Sequence, residues 1–277
     1  MYKHKYLKYK QKYLDLKNNL KGGGQMAKDQ LLTAIENRNI EQVANLINQY
    51  NEYNENDNTF INTIINYRDT PLSYAIKNNN FEMIEFLLMN GANSNLHDVL
   101  QRTPLFHAIQ NNNIEVINLL LRYDADINLP NKFGRTALFF FMQFFRNNMT
   151  NAEDILNILL TNNANVNLRD VSNRTILISF ITHVIRDTEL MNENLTEEQQ
   201  VNESRNLINK FQTYFNILNT LINAIPFENR ASIISHIDNT NNSVFTLLQN
   251  RGYVGSYFTE YLTQIIQLTQ TTQPTQP

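Results

Sequence analysis

A repetitive all-α array is the fold class this sequence predicts, and three observations carry it. The opening phrase Arg68-Asp69-Thr70-Pro71-Leu72 returns 33 residues on as Gln101-Arg102-Thr103-Pro104-Leu105, and again as Gly134-Arg135-Thr136-Ala137-Leu138. A closing phrase, Gly91-Ala92-Asn93-Ser94-Asn95, answers to Asp124-Ala125-Asp126-Ile127-Asn128 at the same spacing, then to Asn163-Ala164-Asn165-Val166-Asn167. Between the two phrases, apolar residues fall at helical intervals. Self-similarity of this kind marks stacked units, none of which can bury its apolar face alone.

Taken in chain order, the first element is basic. Residues 1–21 hold seven lysines against Asp15, and Tyr2, Tyr6, Tyr9, Tyr13, Leu16 and Leu20 make a two-per-heptad stripe. This predicts an amphipathic helix stopped by Gly22-Gly23-Gly24, so residues 1–24 read as a leader with a hinge. Such a helix suits an anionic membrane surface, a nucleic acid or a partner helix, or it is a solvated tail.

The array is expected over residues 28–268, in about six units with degenerate ends. Unit one, near Lys28–Asn48, lacks the Thr-Pro opening and is followed by a polar spacer, as a capping repeat would be. In the best-formed unit, Thr103 is expected to cap the first helix with its hydroxyl, and Pro104 suits the first helical position. Leu105, Ala108 and Ile109 form its inner stripe. Asn111-Asn112-Asn113 should break the chain with one Asn in the left-handed conformation, and Gly91, Asp124 and Asn163 are residue types that tolerate positive φ. A fifth unit opens at Arg174-Thr175-Ile176-Leu177, carries an acidic insertion around residues 187–205 and resumes at Leu207–Ile225. A last unit starts at Ser243, and residues 269–277 are expected to be a disordered tail.

Together the Thr-Pro-Leu opening, the Leu-Leu pair, the closing phrase and the period resemble the ankyrin repeat. The resemblance implies a solenoid of paired antiparallel helices with hairpin fingers, and a protein partner on its concave face. It departs where the family has His after Thr-Pro-Leu: Ser73, Phe106, Phe139 and Ile178 stand there. Phe141 and Phe180 replace a small Ala. The leader is similar to one found on many unrelated proteins of giant DNA viruses, which implies a viral origin and an address or packaging tag, with cleavage near Gly22–Gly24. The stretch Ile225-Pro226-Phe227-Glu228 with Ile233–Asp238 resembles the opening of an F-box, which implies recruitment of a ubiquitin-ligase adaptor; a degenerate repeat would look the same.

Arg102, Arg135 and Arg174 share one register before the Thr, where the resemblance puts them on the fingers. They are candidates to meet an acidic partner, or they pair with neighbouring carboxylates. Tyr67, Leu100 and Phe133 are fingertip candidates for partner contact, competing with packing of finger on finger. On this reading Arg102→Ala leaves stability within about 0.5 kcal/mol.

Composition excludes much else. There is no cysteine, so neither a disulfide nor a thiol nucleophile is available. The five histidines have no metal spacing, and His107 reads as structural. No phosphate loop or nucleophile elbow occurs. A non-enzymatic chain with no cofactor, metal or small-molecule substrate is expected. The net charge of -3 leaves -9 outside the +6 leader, so nucleic-acid or membrane contact is expected only through residues 1–21. The apolar stretches Ala137–Phe145 and Ile176–Ile185 are half the ~20 residues that span a bilayer. A monomer in the host cytoplasm or the virion is the expectation. Asparagine, at 46 residues, is ascribed to genomic base composition. Deleting residues 1–24 should leave the melting temperature nearly unchanged in a thermal scan; a large loss would make the leader a structural cap.

Overall fold

The computed structural model describes residues 24–53, 60–66, 68–144, 151–189, 212–249 and 252–271. Residues 1–23, Tyr67, most of the acidic insertion and residues 272–277 lie outside the described residues. The chain divides into two compact blocks, residues 1–126 and 127–277.

The first block holds three helix pairs: α1 (Gly24–Glu36) with α2 (Ile40–Tyr53), α3 (Pro71–Lys77) with α4 (Phe81–Met89), and α5 (Pro104–Gln110) with α6 (Ile114–Arg122). The first helices stack in a row, α1 on α3 on α5. Leu72, Ala75 and Ile76 of α3 and Leu105, Ala108 and Ile109 of α5 are buried in that row, as the stripe predicts. Behind it, α4 buries Met83, Ile84 and Leu87, and α6 buries Val116, Ile117 and Leu120.

Helices of seven and nine residues need well-defined ends. Pro71 and Pro104 occupy the first turn, where a missing N–H costs nothing. The Asn triplets then divide three tasks. Asn78 and Asn111 end the first helix. Asn79 and Asn112 turn the chain at φ 49° and 54°, a region asparagine tolerates better than most. Asn80 and Asn113 cap the second helix, accepting from Met83 N–H at 3.3 Å and Val116 N–H at 3.1 Å. Arg38 and Asn39 repeat the last two tasks in the first pair, with Arg38 at φ 54° and Asn39 Oδ1 accepting from Gln42 N–H. Gly91, Asp124 and Asn163 all take positive φ, as expected.

Thr103 differs from expectation. Its hydroxyl makes no capping bond and is buried without a hydrogen-bond partner; its carbonyl accepts from Phe106 N–H at 3.1 Å. Thr70 and Ser243 form reciprocal capping boxes because Ser73 and Thr246 can return the bond. Thr136 and Thr175 accept from the Phe139 and Ile178 N–H groups at 3.5 and 3.3 Å with no returned bond. An apolar residue at the third position therefore does not by itself remove the cap, and nothing in the structure explains its loss at Thr103.

A second set of asparagines joins the units. Asn95 donates to the Asp124 carbonyl at 2.9 Å and accepts from Asp126 N–H at 2.6 Å. Asn62 does the same for Gly91 and Asn93. In the second block, Asn128 does it for Asn163 and Asn165. One side chain satisfies a donor and an acceptor in the next closing turn. These positions have a structural cause that composition alone does not convey.

The second block contains α7 (Ala137–Phe144), α8 (Ala152–Thr161), α9 (Ile176–Glu189), α10 (residues 212–224), α11 (Phe227–Ile234), α12 (Val244–Leu248) and α13 (Gly252–Thr271). Here α7, α9 and α12 form the row of first helices. Phe141 and Phe180 are wholly buried, and Phe180 meets the ring of Tyr214 edge-on at 6.2 Å. Two details correct the expected layout. Asp187 and Glu189 continue α9, so the insertion begins after them. The segment resembling an F-box opening is α11, an extra helix that packs on α13 and buries Ile233 and Ile234. Among the described residues no helix is long and apolar enough to cross a membrane.

Leu105→Ala should cost about 2–5 kcal/mol through the cavity it leaves, and Asn95→Ala about 1–2 kcal/mol through two lost bonds, both read from urea unfolding. An Asn95 variant as stable as the parent would remove the bridging role.

Candidate functional site

Before each first helix after α2 stands a hairpin finger: residues 65–69, 98–102, 131–135, 170–174 and 238–242. Four of the five close on the side chain at their first position. Asp98 Oδ1 accepts from Leu100 N–H at 2.8 Å and Arg102 N–H at 2.9 Å. Asn131 does this for Phe133 and Arg135, Asp170 for Ser172 and Arg174, and Asp238 for Thr240 and Asn242. In the first finger Ile65 instead exchanges backbone bonds with Asp69. Each of these four fingers turns through positive φ, at Gln101, Gly134, Asn173 and Asn241. A side chain at Gly134 would also press to 3.1 Å from the backbone nitrogen of Val171.

Neighbouring fingers are tied edge to edge. Val99 N–H donates to the Arg68 carbonyl at 3.0 Å in the first block; in the second, Val171 donates to Phe133 at 2.9 Å and Asn239 to Ser172 at 3.0 Å. These bonds hold the backbone and leave the tips outward. Val99 is 49% exposed, Leu100 45%, Phe133 45% and Val171 64%.

The three candidate arginines are paired. Arg102 sets Nε and Nη2 on Asp98 Oδ2 at 3.0 and 2.8 Å, and Arg174 does so on Asp170 at 2.9 and 2.6 Å. Arg135 reaches Asp170 Oδ2 at 3.2 Å and Gln143 Oε1 at 2.7 Å. Asp98 and Asp170 are the functional residues that sequence reasoning missed. The signal was present as Asp/Asn-x-x-x-Arg-Thr at 98–103, 131–136 and 170–175, a carboxylate or amide four residues before each arginine. The same register holds Asp69 in the first finger, so the arginine column does not extend there; Asp69 pairs with Lys77.

Beneath the first-block fingers lies a buried cluster of Asp69, Asp98, His107 and Lys77. His107 is 1% exposed and its Nε2 meets Asp98 Oδ2 at 3.1 Å, while Nδ1 has no partner. Burial lowers the His107 pKa below its ordinary value, and the nearby Lys77 and Arg102 charges push the same way against the Asp98 bond. Burial would raise the Asp98 carboxyl, but the His107 and Arg102 hydrogen bonds outweigh it and hold the group well below the carboxylate range. Burial opposes ionisation of Asp170 too, and the Arg174 side chain and backbone overcome it. Asp69, Asp98 and His107 bring one ligand atom each within 4.8 Å of one another. The Lys77 ammonium is already bonded to Asp69 and lies 3.8 Å from Asp98. A divalent cation would have to displace it, so the arrangement suits a neutralised structural cluster. His107 is buried here against Asp98.

The revised expectation for Arg102→Ala is a loss of about 1–3 kcal/mol in urea unfolding, because it strips partners from a buried carboxylate. The pH dependence follows from the signs. His107 binds its proton more weakly folded than unfolded, so stability is full above about pH 6.5 and falls as the pH drops from there through the lower folded value. His107→Gln should flatten that part of the profile; an unchanged slope between pH 7.5 and about 5 would remove His107 from the titration.

A search of curated proteins finds no match to the chain. The family model for ankyrin repeats matches residues 31–131 in three copies, the stretch in which the helix pairs α1–α2, α3–α4 and α5–α6 were built above. Repeats of this family mark protein–protein interaction modules. The described residues form an all-α repeat array, and residues 31–131 match the ankyrin repeat in three copies.

Proposed function

We propose that the chain is a non-catalytic adaptor that holds a host or viral protein on its fingers. The observation that supports this most is the exposure of large apolar side chains at fingertips, Leu100 in the first block and Phe133 with Val171 in the second, where finger-to-finger hydrogen bonds already tie the backbone. Exposed aromatic and aliphatic side chains on a braced scaffold are what a partner buries at the centre of an interface. In this reading Leu100 and Phe133 are the anchors, with Tyr67 in the same register of the sequence 33 residues before Leu100. Arg102, Arg135 and Arg174 act at the rim, each tied down by a buried carboxylate. The leader serves as an address, and the protein works as a monomer in the host cytoplasm or the particle.

The adaptor reading is favoured over ubiquitin-ligase recruitment by α11. Its apolar residues Ile233 and Ile234 are spent inside the block against α13, which leaves less of that helix to offer.

Photo-crosslinkers placed at Leu100 and Phe133, with Met89 on α4 as the reference position, should capture the same protein from infected cells at both fingertips and not at Met89. Capture at Met89 alone would place the interface on the outer helices. The double variant Leu100→Ser, Phe133→Ser should lose the partner while keeping its unfolding free energy within about 0.5 kcal/mol of the parent's.

A further inference from the structure

The fingers of the second block are rich in cations. Among the described residues its cations are Lys132, Arg135, Arg169, Arg174, Arg186 and Arg230. All but Arg230 stand on, or next to, the fingers or on the first-helix row. Carboxylates lie mostly elsewhere, with Glu153 and Asp154 in the first turn of α8, Glu228 in that of α11 and Glu260 on α13, while Asp187 and Glu189 follow Arg186 at the end of α9. At the fingers only Asp170 and Asp238 occur among them, and both are buried.

The pairing leaves positive charge over. Asp170 Oδ2 takes both Arg135 and Arg174, so one carboxylate is shared by two guanidiniums. In the first block the paired groups are Lys77 and Arg102 with Asp69 and Asp98, and Arg68 is an exposed cation on the first finger. From Asp170 the positive surface continues inward: Arg135 donates to the Gln143 side chain, and Arg186 donates to the Gln143 carbonyl at 3.4 Å. Outward, Lys132 and Arg135 lie over the Phe133 ring at 5.0 and 5.4 Å. Arg169, exposed, donates to Asn173 Oδ1 at 3.2 Å. Beside Phe133 the next finger presents Val171, joined through the Phe133 carbonyl. The result is an apolar pair ringed by cations, on a chain whose net charge is -3.

We infer that the fingers of the second block take an acidic, extended segment of a partner protein. Its large apolar side chain rests on Phe133 and Val171, and its carboxylates meet Lys132, Arg135, Arg169 and Arg186. This rests on the adaptor reading and gives the partner its chemistry. Opposite potentials across such a face steer encounter and reject basic competitors. A peptide fits better than a nucleic acid because the cations surround an exposed apolar pair with no row of aromatic rings on which bases would stack.

The test uses the full chain and a fluorescein-labelled peptide of alternating Glu and Gly with one central Leu, followed by anisotropy. Binding should weaken steeply with added salt. The same peptide with Gln for Glu should bind at least about tenfold more weakly, and so should the parent peptide to the triple variant Lys132→Gln, Arg169→Gln, Arg186→Gln. These three positions leave the Arg174–Asp170 pair intact, so the variant should fold; Arg122→Gln on α6 serves as the surface control and should change nothing. Equal binding of the Gln peptide, or an unaltered triple variant, overturns the inference. Tighter binding of a single-stranded oligonucleotide than of the Glu peptide overturns it too. If crosslinking at Phe133 captures a partner but no Glu peptide binds, the adaptor reading stands and the acidic class falls.

Discussion

The constraint on which everything else depends is that a helix of seven residues cannot persist alone. Nucleating a helix fixes several dihedrals for each early hydrogen bond, and α3 or α5 in isolation would not recover that cost. Each survives because Leu72, Ala75 and Ile76, or Leu105, Ala108 and Ile109, are shared with the next first helix in the row. Contacts therefore run between neighbours, and the sequence needs only to repeat a local solution. The asparagine bridges from Asn62, Asn95 and Asn128 serve the same end, satisfying backbone groups of the next turn that would otherwise be exposed or orphaned.

That economy leaves the fingers available for recognition. A finger is built around one side-chain oxygen, from Asp98, Asn131, Asp170 or Asp238, which accepts two backbone N–H groups and fixes the hairpin without using its tip. Where the acceptor is a carboxylate, an arginine follows four residues later in two cases and neutralises it. The arginines thus do two things at once. They stabilise a buried charge, and they present the outer edge of a guanidinium to solvent. Pairing with a neighbouring carboxylate and contact with a partner, posed as competing readings, are compatible in this geometry. In the second block one carboxylate, Asp170, serves two guanidiniums.

The buried cluster under the first-block fingers shows the same logic driven inward. His107 occupies the residue after the family's usual histidine position, yet its ring still reaches a polar partner, because Asp98 descends from the finger to meet it. Lys77 closes the cluster from α3. A site with two carboxylates and an imidazole has the outline of a metal centre; the ammonium already bonded there makes it a set of ion pairs.

Period, helix ends and stripe residues were legible in the sequence because they are local: the proline at the first turn, the asparagine at the left-handed turn and the apolar spacing each act within a few residues of themselves. Leu100 and Phe133 could be placed on fingertips for the same reason, since the hairpin is set by neighbours in the chain. What only the tertiary structure decided involves partners far apart in sequence. Arg135 meets Asp170 across 35 residues, so the count of charges at that finger is invisible until the fingers lie side by side. The extra helix α11 hides its apolar face because α13 returns to cover it, and no pattern within residues 227–234 encodes that return. Local chemistry wrote the repeat; the contacts between repeats chose which charges and which apolar side chains remain on the surface.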